Sequence, residues 1–123
     1  MKRLILDLDE TICHTVNGDY RNAKPNLKIV EKMQEYKNQG FDLVISTSRN
    51  VRTFDGNVGL INANTLPIII EWLKVNNIPY DEIYVGKPWC GKEGFYIDDK
   101  SIRPKEFIKY NYDEILSLLA SEE

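Results

Sequence analysis

Short apolar segments in this chain each end at a polar or charged residue, and this pattern constrains the fold more than any other feature. Continuous or nearly continuous apolar runs of three to five residues are typical of strands in a parallel sheet, where both faces are buried. The segments and the polar residues that follow them are 4–6 with Asp7 and Asp9, 41–45 with Thr47, 83–85 with Lys87, and 95–97 with Asp98 and Asp99. We therefore predict four buried strands, each ending at a chemically active group.

Helical patterns lie between the first three strands. Pro25 opens a segment in which apolar residues recur every three positions, and Gly40 ends it. Asn64 or Thr65 caps a second helix, with Pro67 in its first turn, and a last helix is predicted over about 111–120. Residues 12–24 are predicted to form a loop or small flap, and residues 50–63 a long loop. The order predicts an α/β fold with a central parallel sheet covered by helices on both faces.

Composition excludes several classes of protein. The 123 residues fit a single domain over 1–123. The net charge of −3 is too small to indicate nucleic acid or an anionic membrane as a partner. No apolar run approaches the roughly 18 residues of a membrane span, and the charged start of the chain is unlike a signal peptide, so we expect a cytoplasmic protein with no membrane span. The lone His14 excludes a multi-histidine metal site, so a metal must be held by oxygen atoms.

The predicted strand ends should meet at one edge of the sheet. In an open parallel sheet the carboxyl ends of the strands lie along the edge where ligands bind, so the acids, Thr47 and Lys87 should converge there. Gathered carboxylates need a cation, and an oxygen-lined site suits Mg²⁺. A metal, a lysine and a hydroxyl around one point suit a phosphoryl group, which a carboxylate can attack to give an aspartyl-phosphate.

Four motifs in order make the chain resemble the haloacid dehalogenase (HAD) superfamily. Leu-Asp7-Leu-Asp9-Glu-Thr11 is similar to its first motif, DxDx[TV]. Thr47, which closes a strand and is followed by Arg49, resembles the second motif. Lys87 resembles the third, and Ile97-Asp98-Asp99 the acidic fourth. The resemblance covers residues 4–99, and it implies a three-layer Rossmann-like domain of HAD type that lacks a large cap domain.

The resemblance also implies a role for each motif residue. Asp7 would be the nucleophile and a metal ligand. Asp9 would donate a proton to the leaving oxygen, help to activate water, and bind Mg²⁺ through its main-chain carbonyl. Thr47 and Lys87 would hold the phosphoryl oxygens, and Asp99, with Asp98 beside it, would complete the metal shell. We expect Asp9 to be kept protonated by the neighbouring carboxylate.

A narrower resemblance concerns the substrate. The stretches STSRN, NVGxINxxTLP and VGKPWCGKEGFYIDDKSIRP look like the capsule-biosynthesis phosphatase branch of the superfamily. That branch implies a bacterial cytoplasmic enzyme acting on a phosphorylated sugar or related polysaccharide precursor. Ser48 and Arg49, beside Thr47, are candidates for substrate binding, although Arg49 can equally be read as a surface charge. Because no cap is expected, the 50–63 loop or a neighbouring subunit of a homo-oligomer is expected to act as the lid.

Two alternative functions stay open. A signalling receiver domain has a similar length and also combines paired acids, a hydroxyl and a lysine. However, its phospho-accepting aspartate follows a buried strand, whereas Asp55 here follows Val-Arg-Thr-Phe. A phosphoprotein substrate is the second alternative, because the sequence DLDET resembles the carboxy-terminal-domain phosphatases.

Overall fold

A computed structural model describes residues 1–121 as a mixed α/β structure. The chain forms two compact units, Met1–Trp89 and Cys90–Glu123. The prediction of one domain over 1–123 extends past the described residues and stays a prediction. In chain order the elements are β1 (Arg3–Leu6), β2 (Cys13–His14), a 3₁₀ turn (Tyr20–Asn22), β3 (Lys24–Pro25), α1 (Leu27–Asn38), β4 (Asp42–Ser46), α2 (Val58–Asn64), α3 (Leu66–Val75), β5 (Glu82–Tyr84), α4 (Pro104–Lys109) and α5 (Tyr112–Ala120).

A three-stranded parallel sheet in the order β1-β4-β5 forms the centre of the first unit. The middle strand β4 carries three successive buried side chains, Leu43, Val44 and Ile45, as expected where both faces are covered. Its register places Val44 opposite Ile5 of β1. The three predicted strands of this unit are confirmed, and five of their six ends differ from the prediction by one residue.

A small antiparallel hairpin follows β1. The N–H groups of Thr11, Ile12 and Cys13 all donate to the carbonyl oxygen of Leu8, at 3.3, 2.9 and 3.1 Å, which makes one helical turn after the sheet. Strands β2 and β3 then pair. The indole N–H of Trp72 donates to the carbonyl oxygen of Ala23 at 2.8 Å and so ties the hairpin to α3. The flap predicted at residues 12–24 is this hairpin.

The first helix begins later than predicted. Pro25 belongs to β3, and Asn26 is the N-cap of α1, accepting from the N–H of Ile29 at 3.4 Å. Ile29, Met33 and Tyr36 are buried along α1, whereas Leu27, one of the apolar residues that recur every three positions after Pro25, is exposed at its start. Positions 29, 33 and 36 lie on one face at 3.6 residues per turn, whereas a strict three-residue spacing drifts around the helix.

Residues 50–63 were expected to form an irregular loop, but their second half is helical. Asn57 caps α2 by accepting from the N–H of Leu60 at 3.2 Å. Helix α3 then runs with Pro67 in its first turn, as predicted. The hydroxyl of Thr65 donates to Oδ1 of Asn50 at 2.7 Å rather than capping α3, which fastens the start of the loop to the helix.

The second unit lacks the strand predicted at residues 95–97. Among its described residues, 90–121, no strand is present, and the prediction of a fourth strand is wrong for this structure. Phe95 is 76% exposed and Ile97 88% exposed, so this apolar segment is not covered. Helix α4 was not predicted. Helix α5 was predicted and begins after Asn111, which accepts from the N–H of Glu114 at 2.9 Å.

Within residues 1–121, no single helix is long and apolar enough to cross a membrane. Helices α2 and α3 reach that length and composition only as a pair bent by 42°.

Candidate active site

The carboxyl ends of β1 and β4 and the segment after β5 meet at one edge of the sheet, within the first unit. The N–H of Thr47 donates to the carbonyl oxygen of Tyr84 at 2.9 Å, and the N–H of Lys87 donates to that of Thr47 at 3.1 Å. These two bonds hold the segment that carries Lys87 beside the end of β4. Nζ of Lys87 lies 3.9 Å from Oδ1 of Asp7. Three of the predicted site residues, from three distant parts of the sequence, are therefore brought together.

Asp7 occupies a half-buried position at this edge. Burial raises the pKa of Asp7 above its ordinary value, and the positive charge of Lys87 is the largest effect that opposes the rise. The N–H of Leu8 also stabilises the charged form. The carboxylate of Asp7 thus has limited solvation and lies within ion-pair distance of Lys87. In such an environment a bound metal cation strongly stabilises the charged carboxylate.

Asp9 is held by an arginine. Nε of Arg49 donates to Oδ2 of Asp9 at 3.1 Å, and Nη2 donates to Oδ1 at 2.8 Å. The hydroxyl of Thr15 donates to the same Oδ1 at 3.2 Å. A two-point contact between a guanidinium and a carboxylate is strong and fixes the relative orientation of the two groups. The structure therefore shows the carboxyl group of Asp9 bound by Arg49, and its expected protonation stays a prediction.

Arg49 is buried, which contradicts the surface-charge reading of this residue. Its side chain is 2% exposed, and its guanidinium lies 4.1 Å from the ring centre of Tyr20. Its main-chain N–H donates to Oγ1 of Thr47 at 3.1 Å. Nη1 of Arg49 is buried and has no hydrogen-bond partner among the described residues. A buried donor without a partner costs on the order of 1–3 kcal/mol.

An open cavity of about 390 Å³ lies beside Asp9 and Arg49. Its size falls in the range of about 300–1,000 Å³ for small-molecule sites. Ser48 and Arg49, both predicted to bind substrate, are part of its wall, as is Trp89, which is 48% exposed. The beginning of the 50–63 segment contributes Arg52, so this segment borders the cavity.

The second acidic pair lies in the other unit. Asp98 and Asp99 are both exposed, and Oδ1 of Asp98 accepts from the N–H of Lys100 at 2.8 Å, which makes a local turn. Over residues 1–121, no group of three or more His, Cys, Asp or Glu side chains could hold a metal ion. At this edge the first unit provides the carboxylates of Asp7 and Asp9, which are oxygen donors of the kind that Mg²⁺ prefers.

The chain is similar to a protein of solved structure. No family model matches the chain, and no curated protein matches it. The crystal structure of a structural-genomics target from Vibrio cholerae is 55% identical, with all of both chains covered and a TM-score of 0.97. The two proteins belong to one family. The name of that target assigns it no activity, so the likeness establishes the shared fold and leaves the chemistry to be argued from the site.

Several cavity residues were not found from the sequence. Thr15, Gly18 and Tyr20 line the cavity from the flap, and Asn50 and Thr53 line it from the loop after β4. Asn50 has a positive φ of 61°, which asparagine tolerates better than most residues. A polar segment with Asn-Gly after a strand was the available signal for the flap, but nothing in it identified which side chains face the cavity. His14, by contrast, pairs with Glu10 on the surface at 2.9 Å.

Proposed function

We propose that the chain is a Mg²⁺-dependent phosphomonoester hydrolase of HAD type, which forms an aspartyl-phosphate on Asp7. The observation that carries the proposal is the position of Asp7 beside Lys87, with the N–H of Lys87 bonded to the carbonyl oxygen of Thr47. A carboxylate, an ammonium group and a strand-end hydroxyl held together in this way suit the transfer of a phosphoryl group.

In the first proposed step, a carboxylate oxygen of Asp7 attacks phosphorus and the bond from phosphorus to the ester oxygen breaks. The leaving oxygen takes a proton, and water later attacks the phosphorus of the aspartyl-phosphate to release inorganic phosphate and regenerate the carboxylate. Lys87 offsets charge on the phosphoryl oxygens. Thr47 is buried with its Oγ1 accepting from the N–H of Arg49, so its hydroxyl hydrogen remains to be donated.

The proposed proton donor is Asp9, whose carboxyl group is bound by Arg49. A phosphoryl group in the cavity would compete for the guanidinium of Arg49, whose Nη1 has no hydrogen-bond partner among the described residues. Substrate binding would therefore weaken the contact between Arg49 and Asp9 and leave the carboxyl group of Asp9 available to the leaving oxygen.

Mg²⁺ would be held by oxygen atoms, from the carboxylate of Asp7, the main-chain carbonyl of Asp9, and Asp99 with Asp98. When bound, it would neutralise charge on the phosphoryl group. The first unit contributes oxygen donors of the kind that Mg²⁺ prefers.

The proposed substrate is a phosphorylated sugar or polysaccharide precursor. The cavity offers Arg52 as a cation and Trp89 as an exposed ring face, and aromatic rings with a few polar groups suit a small polar ligand. The capsule-related part of the proposal rests on the resemblance of the sequence alone.

The test is hydrolysis of a panel of sugar phosphates, nucleotides and phosphopeptides, with and without Mg²⁺. We expect hydrolysis that needs Mg²⁺, and a loss of more than about 1,000-fold in Asp7→Asn. Asp55→Asn is the matched control, because Asp55 is exposed with a positive φ of 49° that asparagine tolerates. If Asp7→Asn keeps substantial Mg²⁺-dependent activity, the proposal is wrong. Loss of phosphate incorporation in Asp55→Asn alone would favour the receiver alternative.

A further inference from the structure

We propose that this protein works as a strand-exchanged dimer. Residues 94–98 of one copy add to the outer edge of β1 in a second copy, and bring Asp98 and Asp99 to the Asp7 of that second copy. The exchange itself rests on the sheet edge and the exposed segment. The shared active site rests in addition on the proposed function.

The receiving surface is the outer edge of β1. In the sheet order β1-β4-β5, β1 is an edge strand, and within residues 1–121 its ladder partner is β4. Ile5, in the middle of β1, is 66% exposed although its register partner Val44 is buried. Strands of a parallel sheet are normally covered, and an apolar edge strand is a template for an added strand.

The donated strand is the segment around Phe95-Tyr96-Ile97. Aromatic and β-branched residues of this kind favour strands, yet Phe95 and Ile97 are largely exposed and the segment has no strand assignment. A single chain thus has both an edge that lacks a covering strand among the described residues and an exposed segment with the composition of a strand.

Charges at the amino ends of the two segments are complementary. A parallel register that sets Asp98 beside Asp7 also sets Ile97 beside Leu6 and Glu93 beside Lys2, since each pair is 91 residues apart. Glu93 and Lys2 then form an opposite-charge pair at the amino end. At the carboxyl end, the added acids approach the site that contains Lys87.

The connection within one chain favours a second copy as the partner. The bond from Lys87 to Thr47 anchors the chain at the carboxyl edge of the sheet, and six residues, 88–93, remain before the donated segment 94–98. A parallel crossover usually needs a dozen or more residues and a helix, and residues 88–93 contain no helix. A link shorter than the usual crossover favours exchange between chains.

The area available is sufficient for a stable dimer. Two copies together expose four aromatic side chains, at positions 95 and 96. If full burial of each side chain covers about 200 Å², the parts that are now exposed would bury roughly 500 Å². The surfaces that cover them contribute a similar area, so the total is about 1,000 Å² before Ile97 and Ile5 are included. That reaches the lower limit of about 1,000 Å² for a specific interface.

Exchange would also add oxygen donors to the proposed metal site. The first unit supplies two carboxylates, one of them bound by Arg49. Asp98 and Asp99 of the second copy would supply further carboxylates beside Asp7. The dimer would then carry two equivalent sites, each built from both chains.

The first test is the mass of the full chain in solution by light scattering. We expect about twice 14.3 kDa at roughly 10 μM for the wild type, and a monomer for the variant with both Phe95→Asp and Ile97→Asp. Leu27→Asp is the control, because it replaces an exposed apolar residue in the first turn of α1, where an acid is tolerated, and it should stay dimeric. A monomeric wild type, or a dimer unaffected by the double substitution, overturns the proposal.

A second variant guards against simple misfolding. Insertion of eight Gly and Ser residues after Gly91 lengthens the link while leaving both strand segments intact. If a short link causes the exchange, this variant should shift from dimer to monomer with unchanged circular dichroism. A variant that stays as dimeric as the wild type at all concentrations contradicts the role of the link.

The shared site is tested by complementation. Asp7→Asn and Asp98→Asn/Asp99→Asn chains are co-expressed in equal amounts, and phosphatase activity with Mg²⁺ is measured. Random pairing would give about a quarter of the sites a wild-type set of residues, so about a quarter of wild-type activity should return, whereas each variant alone should be inactive. No recovery overturns the shared site. An inactive wild type that is dimeric and is dissociated by the strand substitutions instead contradicts the proposed function and supports the exchange.

Discussion

Arg49 connects three parts of the first unit. Its guanidinium binds Asp9 after β1 and lies on the ring of Tyr20 in the 3₁₀ turn, while its main-chain N–H bonds to Thr47 after β4. A planar guanidinium can bind a carboxylate at two points and stack on an aromatic ring at the same time, whereas the ammonium group of a lysine cannot. The residue therefore positions the flap and Asp9 together.

We expect Arg49→Met to lower the free energy of unfolding by about 1–3 kcal/mol. Breaking a buried ion pair costs more than that, but Asp9 remains partly exposed to water. Urea unfolding followed by circular dichroism measures the change.

Adding Asp9→Asn should recover part of the loss, because the uncompensated charge is removed. Arg52→Met, at an exposed cavity residue, is the control and should change stability by less than about 0.5 kcal/mol. Equal effects of both arginine substitutions would contradict this role.

The two thiols should differ in reactivity. Cys13 is buried, and burial together with the nearby charge of Asp9 raises its pKa to about 11, so little thiolate forms at neutral pH. We expect iodoacetamide at pH 8 to modify Cys90 and to leave Cys13 unmodified until the protein unfolds. Mass spectrometry of the labelled peptides measures this. Equal labelling rates in the folded protein would show that the hairpin around Cys13 is open.

At the level of elements, Asp81 joins α1 to β4 just before β5. Its carboxylate accepts from the N–H of Leu43 at 2.8 Å and binds Nζ of Lys37. The N–H of Leu43 is the main cause, and Lys37 the next, of a pKa lowered below the ordinary value of 3.8. A lowered folded-state pKa stabilises the protein above the unfolded-state pKa, and this contribution is lost as the pH falls through the folded-state value.

We therefore expect Asp81→Asn to reduce stability by about 1 kcal/mol at pH 7, since the ion pair is only partly buried. The difference from the wild type should shrink as the pH falls below about 4. Thermal unfolding at pH 7, 5 and 3 measures the difference. Asp42→Asn, on the exposed start of β4, is a control whose effect should be smaller at pH 7. A difference that grows toward pH 3 would contradict the assignment.

Elements with strong local signals were predictable from the sequence, and those that depend on distant partners were not. The signals for these elements, the apolar runs of β1, β4 and β5 and the caps around α3 and α5, lie within the elements or a few residues from them in the sequence. Helix α2 was missed because Gly59 interrupts its apolar pattern, although Asn57 gave a cap signal. The strand at 95–97 was predicted wrongly because strand propensity is expressed only where another strand can pair with it.

At the level of the whole molecule, the meeting of Asp7, Thr47 and Lys87 was predictable from topology alone. Parallel strands place their carboxyl ends at one edge, whatever the side chains nearby. The ion pair of Asp9 with Arg49 was not predictable, because it depends on how the hairpin packs. The same reason explains why Tyr20 was not identified as a neighbour of the site.

Mg²⁺ binding can be tested without activity. A ligand that binds the native state stabilises it, and a site with a Kd of about 1 mM would add about 1.4 kcal/mol at 10 mM Mg²⁺. We expect the wild type to melt at a higher temperature in 10 mM MgCl₂ than in equal ionic strength of NaCl. Asp7→Asn should lose this difference and Asp55→Asn should keep it. No shift in the wild type, or the same shift in Asp7→Asn, would argue against a metal at Asp7.

The two tryptophans occupy contrasting environments, so their intrinsic fluorescence should report on two different parts of the protein. Trp72 is buried with its indole bonded to Ala23, whereas Trp89 is half-exposed at the cavity. Trp89 should give the longer-wavelength emission and be quenched first by acrylamide. A sugar phosphate bound in the cavity should protect that emission, while the emission of Trp72 should change only when the flap separates from α3. Ligand occupancy and flap detachment should therefore be visible as separate fluorescence signals in one unlabelled sample.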